Sequence, residues 1–145
     1  MTINNDAIQA RLQRIQRSHN RLVKIVEEGY TIFEDDEDIQ VIAERHLQLI
    51  AQAIADIAAH IIAQEKWGTP ESYRAAIELI AKKKVISQDL GNKLASVMGL
   101  RNILIHDYLI IQSSILFQEL EEGLNDFTEF TEQVNRFLHS RSSRI

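Results

Sequence analysis

Between residues 101 and 108 the chain reads Arg101-Asn102-Ile103-Leu104-Ile105-His106-Asp107-Tyr108, an arginine, a histidine and a tyrosine set into an otherwise apolar segment. Leu100, Ile103, Leu104 and Ile105 supply burial. The polar heads of Arg101, His106 and Tyr108 each need a partner or water once covered, so folding alone gives no reason for them. Arginine beside histidine is the minimal equipment for phosphodiester chemistry without a metal ion. One is a permanent cation for charge developing on phosphate oxygens; the other passes protons near neutral pH.

Helical spacing constrains how such a site is built. At about 100° per residue, Leu90, Leu94, Val97, Arg101, Leu104 and Tyr108 fall on one stripe, so Arg101 and Tyr108 interrupt an apolar seam. Asn102 and His106, four apart, share a neighbouring face roughly 100 to 140° round. One straight helix does not aim Arg101 and His106 at the same atom. Convergence requires the helix to end or bend near His106, or a second copy packed across a twofold axis. The second arrangement also explains a charge inside an apolar seam, and it predicts that seam at or near a homodimer interface.

The elements that carry these residues follow from composition and periodicity. A chain of 145 residues with one proline, five glycines and 45% hydrophobic residues is one domain's worth of long helices with few turns. No period-2 alternation is long enough for a sheet. The expected fold is all-α, a single-domain bundle of about five helices over residues 1–138, with a flexible tail at 139–145. The first helix, about 5 to 28, buries Ile8, Leu12, Ile15, Leu22 and Val26. An acidic loop, residues 34–38, leads to a long helix, about 38 to 65, with Ala43, Leu47, Ile50, Ile54, Ile57 and Ile61 inside. Thr69 and Pro70 are placed to cap and start a short third helix, Ser87 to cap the fourth, and Ser113 or Ser114 to open the fifth. Leu116, Leu120, Leu124, Phe127, Val134 and Phe137 or Leu138 form the fifth helix's buried face. With no cysteine there is no thiol chemistry. The N-terminus lacks a basic-then-apolar signal and no apolar run approaches the ~20 residues of a membrane span, so the expectation is a cytoplasmic protein without a membrane partner.

Other candidate residues have plainer readings beside the sharper ones. The acidic run suits the positive end of the following helix dipole. The stripe Arg11, Arg14, Arg17, Arg21 and Lys24 is most simply a wet face, and a net charge of −5 counts against broad affinity for nucleic acid, although local cations set phosphate contacts. Asp56 and His60, four apart and in a row with Gln52 and Arg45, read as a helix-surface ion pair. The sharper reading puts this row beside the motif, where Asp56 orients an imidazole or the arginine. A metal site from Asp56, His60 and His46 is poorly supported because His46 is out of line, so neither metal nor cofactor is expected. His19 reads as a satisfied core histidine.

An arginine followed by Asn102, then His106, one residue, and Tyr108 resembles the signature of HEPN-domain ribonucleases, in particular the HepT-like toxins of the HepT/MntA toxin–antitoxin type. The resemblance takes in the helix from Glu44 to His60, the loop Trp67-Gly68-Thr69-Pro70 and the approach Ala95-Ser96-Val97-Met98-Gly99-Leu100. It implies a metal-independent endoribonuclease acting as a homodimer, with two motifs facing each other across a composite cleft. In that case His106 acts as general base or acid, Arg101 holds the scissile phosphate, and Asn102 bonds the phosphate or fixes the imidazole tautomer. The resemblance further implies a nucleotidyltransferase antitoxin that AMPylates Tyr108. The alternative function is a non-catalytic helical binding subunit of such a nucleotidyltransferase.

Overall fold

Apolar residues recur at steps of four and three from Ala43 to Ile61, and every member of that set, Ala43, Leu47, Ile50, Ile54, Ile57 and Ile61, is 2% exposed or less. They belong to the central helix of the protein. The structure, a computed structural model, describes residues 5–102 and 112–142. Among these residues there are six α-helices and no strand: α1 Asn5–Glu28, α2 Tyr30–Asp35, α3 Glu37–Glu65, α4 Tyr73–Lys82, α5 Gln88–Asn102 and α6 Ser113–Ser142. Alanines at 51, 53, 55 and 58 bury the other sides of α3 as well, because their small size lets α1, α4 and α5 approach it closely. Contrary to the expectation that no apolar run nears membrane-span length, α3 does so by length and composition. It is the core helix, and 56% of its most apolar window is buried.

Three boundaries differ from the sequence expectation, each for a local reason. The acidic run is not a loop. Phe33, 1% exposed, packs its ring 5.2 Å from that of Phe117 on α6, which draws residues 30–35 into the helical turn α2. Gly29, at φ +93°, makes the break from α1, a left-handed conformation that side chains disfavour. Asp36 then turns extended and caps α3, its carboxylate accepting from the Ile39 N–H at 3.2 Å, with Glu37 and Asp38 in the first turn as the dipole favours. The second difference is the start of α4. The cap is Ser72, whose Oγ accepts from the Ala75 N–H, and not Thr69, so Pro70 stays in the connection. Third, α6 continues to Ser142, beyond the expected end of the packed domain at 138. Arg141 Nε lies 2.7 Å from Glu65 Oε1, and its guanidinium sits 4.9 Å from the Phe137 ring centre, which ties this turn to α3.

Ser87 caps α5 as expected, accepting from the Leu90 N–H at 3.1 Å. The apolar stripe of α5 is a correction. Leu90 and Leu94 are fully buried and Val97 nearly so within their own chain, because α5 is flanked by α3, α4 and α6. That part of the stripe is core and not a twofold seam. Leu104 and Tyr108, further along it, lie outside the described residues.

Gly91 sets the distance between α4 and α5: a Cβ there would stand 2.8 Å from the Cβ of Ala81. Alanine at 91 forces the two helices apart. Gly91→Ala is therefore expected to cost about 1–3 kcal/mol despite its better helix propensity. Urea denaturation measures this, and a midpoint at or above wild type would show that the contact is not limiting.

Candidate active site

Arg101 closes the buried stripe of α5, 9% exposed, and a buried guanidinium must be paired to be tolerated. Its partners come from two other helices. Nη2 donates to Oε1 of Gln52 on α3 at 2.5 Å, and the guanidinium carbon sits 4.6 Å from the ring centre of Tyr73 on α4. The cation takes the carbonyl end of the Gln52 amide, so the NH2 end is left for an acceptor. Gln52 Nε2 donates to Asp56 Oδ1 at 2.9 Å, and the Tyr73 hydroxyl lies 3.5 Å from the same nitrogen. The other carboxylate oxygen of Asp56 is 3.6 Å from Arg11 Nε on α1. Charges of alternating sign thus run from Arg101 through a neutral amide to Asp56 and Arg11.

This arrangement immobilises the arginine without using it up. Arg101 Nε is buried and has no hydrogen-bond partner among the described residues, the kind of orphan that marks a functional site. A cavity of ≈590 Å³ opens beside it, lined by Arg101, Asn102, Tyr73, Ser72, Pro70 and Ala59 among others. Asn102 is exposed at its edge. A fixed cation at the wall of a cavity that size is suited to hold an anionic group.

The structure brings Arg101 and Asn102 to one cavity and connects Asp56 to Arg101 through Gln52. His106 and Tyr108 lie outside the described residues. The expected Asp56–His60 ion pair does not form, because Gln52 and Arg11 occupy the Asp56 carboxylate; His60 Nε2 is buried without a hydrogen-bond partner among the described residues. His46 turns to α1 instead, its Nδ1 3.0 Å from Ser18 Oγ, so it does not join Asp56 and His60. His19 is half satisfied: Nε2 is 2.9 Å from the Leu124 carbonyl oxygen and 3.2 Å from Thr128 Oγ1, whereas Nδ1 is buried without a hydrogen-bond partner among the described residues.

Two residues of the site had no clear signal in the sequence. Gln52 stood in the row with Asp56 but looked like an ordinary polar residue. Tyr73 opens a short helix as a partly exposed aromatic, and nothing in its neighbours points to an arginine 28 positions later. Gln52→Ala removes the acceptor and strands the Arg101 charge. A loss of about 1–3 kcal/mol is expected in chemical denaturation. An unchanged midpoint would mean that water replaces the amide at no cost.

Comparison with known proteins now bears on this geometry. A family described as Ribonuclease HepT-like matches residues 8–134. The chain belongs to the HepT-like ribonuclease family. It is 32% identical over 130 residues to the mRNA nuclease HepT of Shewanella oneidensis, covering 90% of this chain and 97% of that protein. It is 33% identical over 132 residues to the tRNA nuclease HepT of Aphanizomenon flos-aquae, covering 90% and 89%. Its fold superposes with TM-score 0.84, at 31% identity over 90% of this chain and 98% of the other, on a tri-AMPylated Shewanella oneidensis HEPN toxin solved in complex with MNT antitoxin. The family resemblance read from the motif and the all-α HEPN-like fold are both borne out.

Proposed function

We propose that this HepT-like chain is the ribonuclease toxin of a toxin–antitoxin pair, cutting RNA without a metal ion in a cleft completed by a second copy, inside the cytoplasm. The observation that carries this is the Arg101 clamp: a guanidinium held by Gln52 and Tyr73, its Nε without a hydrogen-bond partner among the described residues, at the wall of a cavity. The names and the antitoxin complex of its relatives support it. In the proposed reaction His106 takes the proton of the ribose 2′-hydroxyl or gives one to the departing 5′-oxygen. The 2′-oxygen bonds to phosphorus, the P–O5′ bond breaks, and a 2′,3′-cyclic phosphate remains. Arg101 is already oriented before charge develops on the phosphate oxygens, so its stabilisation needs no reorganisation at that moment. Asn102, exposed at the cavity edge, bonds the same phosphate, and Asp56 holds the arginine through Gln52.

The homodimer brings the second motif to the cleft. Since Leu90, Leu94 and Val97 serve their own core, the pairing surface is drawn from residues beyond Arg101 and from apolar side chains left outside, such as Ile115, Ile32 and Val41. The antitoxin is a nucleotidyltransferase that AMPylates Tyr108. The test is incubation of the purified chain with total RNA in EDTA, with parallel DNA. Cleavage of RNA alone, ending in cyclic phosphate, is expected, since deoxyribose lacks the nucleophile. Intact RNA under these conditions would instead favour a non-catalytic binding subunit of the nucleotidyltransferase.

A further inference from the structure

The cationic face of α1 has no part in the chemistry described so far. Arg11, Arg14, Arg17, Arg21 and Lys24 follow one another along it, and Arg11 and Arg21 stand about 15 Å apart at 1.5 Å per residue. Arg14, Arg17, Arg21 and Lys24 are exposed, and none of them has an ion pair among the described residues. Cations on a solvated face are ordinary, but three of these line a concavity. Arg11, Arg14 and Arg17 form one wall of a groove of ≈360 Å³, with Leu49, Gln52 and Asp56 of α3 opposite.

Gln52 joins this groove to the active site, because the same amide that lines it holds Arg101. The groove and the cavity beside Arg101 share no lining residue, and the Arg101–Gln52 hydrogen bond stands between them. Three guanidinium groups in it face one carboxylate, and that carboxylate is shared between Gln52 and Arg11. The chain as a whole carries −5, so positive charge is concentrated here against the overall balance. Its field reaches the next helix. The pKa of His46 is lowered, first by burial and then by Arg21, Arg14 and Arg45.

We propose that this groove holds the RNA strand flanking the scissile phosphate, with Arg14 and Arg17 on successive backbone phosphates and the strand running from Arg101 past Gln52 along α1 towards Arg21. The inference rests on the ribonuclease reading and adds where the substrate lies. Single-stranded RNA is the occupant, since cationic grooves track an unstacked backbone whatever its bases. Specificity for a particular RNA then arises elsewhere in the cleft.

The test separates this inference from the activity itself. Fluorescence anisotropy follows a single-stranded RNA of roughly 12 nucleotides binding to the His106→Ala chain, which leaves it uncut, over a range of salt. Adding Arg14→Gln with Arg17→Gln is expected to weaken binding about tenfold at low salt and to reduce the log–log salt slope by about 1.4, at about 0.7 per phosphate released. Arg14→Lys with Arg17→Lys restores the slope, whereas Lys82→Gln with Lys84→Gln removes the same charge at the C-terminal end of α4 and leaves slope and affinity near the parent. The proposal is overturned if the Arg14/Arg17 glutamine pair keeps the parent slope, if the lysine control loses as much, or if the parent does not bind RNA. It is also overturned if the glutamine pair keeps RNA binding but no longer associates with the nucleotidyltransferase, which would make the face a protein-docking surface. Failure of the ribonuclease reading appears separately, as RNA left intact by the wild-type chain.

Discussion

His106→Ala is expected to lower RNA cleavage in EDTA by about 10²–10⁴, the range for losing a positioned proton donor or acceptor, while the helical circular dichroism stays at wild type. Arg101→Ala should lose about 10²–10³ through transition-state charge, and more if phosphate binding is lost with it. The structure adds a stability cost for this second variant. Deleting a guanidinium that sits between Gln52 and the Tyr73 ring leaves the half-buried Gln52 carbonyl without its partner and the space at the end of α5 unfilled, at about 1–3 kcal/mol. Arg101→Lys separates the two effects. A lysine keeps the charge but cannot bond Gln52 in the plane of a fork, stack on Tyr73 and retain a spare N–H together, so it should fold better than the alanine variant yet remain poorly active. Wild-type cleavage by both the Arg101 and His106 alanine variants would falsify the nuclease assignment.

Tyr108→Phe is the second decisive variant. The hypothesis is that the partner nucleotidyltransferase transfers AMP from ATP to the Tyr108 hydroxyl, forming a phosphodiester there and releasing pyrophosphate. On the helical spacing expected from the sequence, the adduct would put an anion near the arginine that otherwise holds substrate. Incubation with the nucleotidyltransferase, ATP and magnesium should first add one AMP mass per wild-type chain and silence cleavage. The phenylalanine variant keeps the ring, lacks the acceptor oxygen, and should escape both. Intact mass and residual cleavage read the outcome together. An adduct on the phenylalanine variant, or full activity of modified wild type, would show that another residue is the switch.

Much of the fold was legible because helix burial is periodic along the chain. The spacing of Ile54, Ile57 and Ile61, or of Leu116, Leu120 and Phe127, assigns an inward face before any partner helix is known, and the structure buries all of them. Turn chemistry was less certain. Thr69 and Ser72 both suit an N-cap, and the serine holds the position. In the acidic run a buried phenylalanine outweighed five carboxylates, since Phe33 gains a place in the core only if residues 30–35 coil towards α6.

The motif residues were visible for the same local reason. Arg101, Asn102, His106 and Tyr108 stand within eight positions, and these types at fixed spacing, together with the helix from Glu44 to His60 and the loop Trp67–Pro70, carry the resemblance to the HepT-like family. What holds the arginine was not visible. Gln52 precedes Arg101 by 49 positions and Tyr73 lies on a third helix; their meeting depends on the rotation of α3, α4 and α5 about their axes and on the close α4–α5 approach at Gly91. The seam of Leu90, Leu94 and Val97 shows the other side of this limit. Sequence determined that the stripe is apolar, but only the packing of α3, α4 and α6 around α5 decided that it is covered by its own chain, because periodicity reports that a face is buried and carries no information about what buries it.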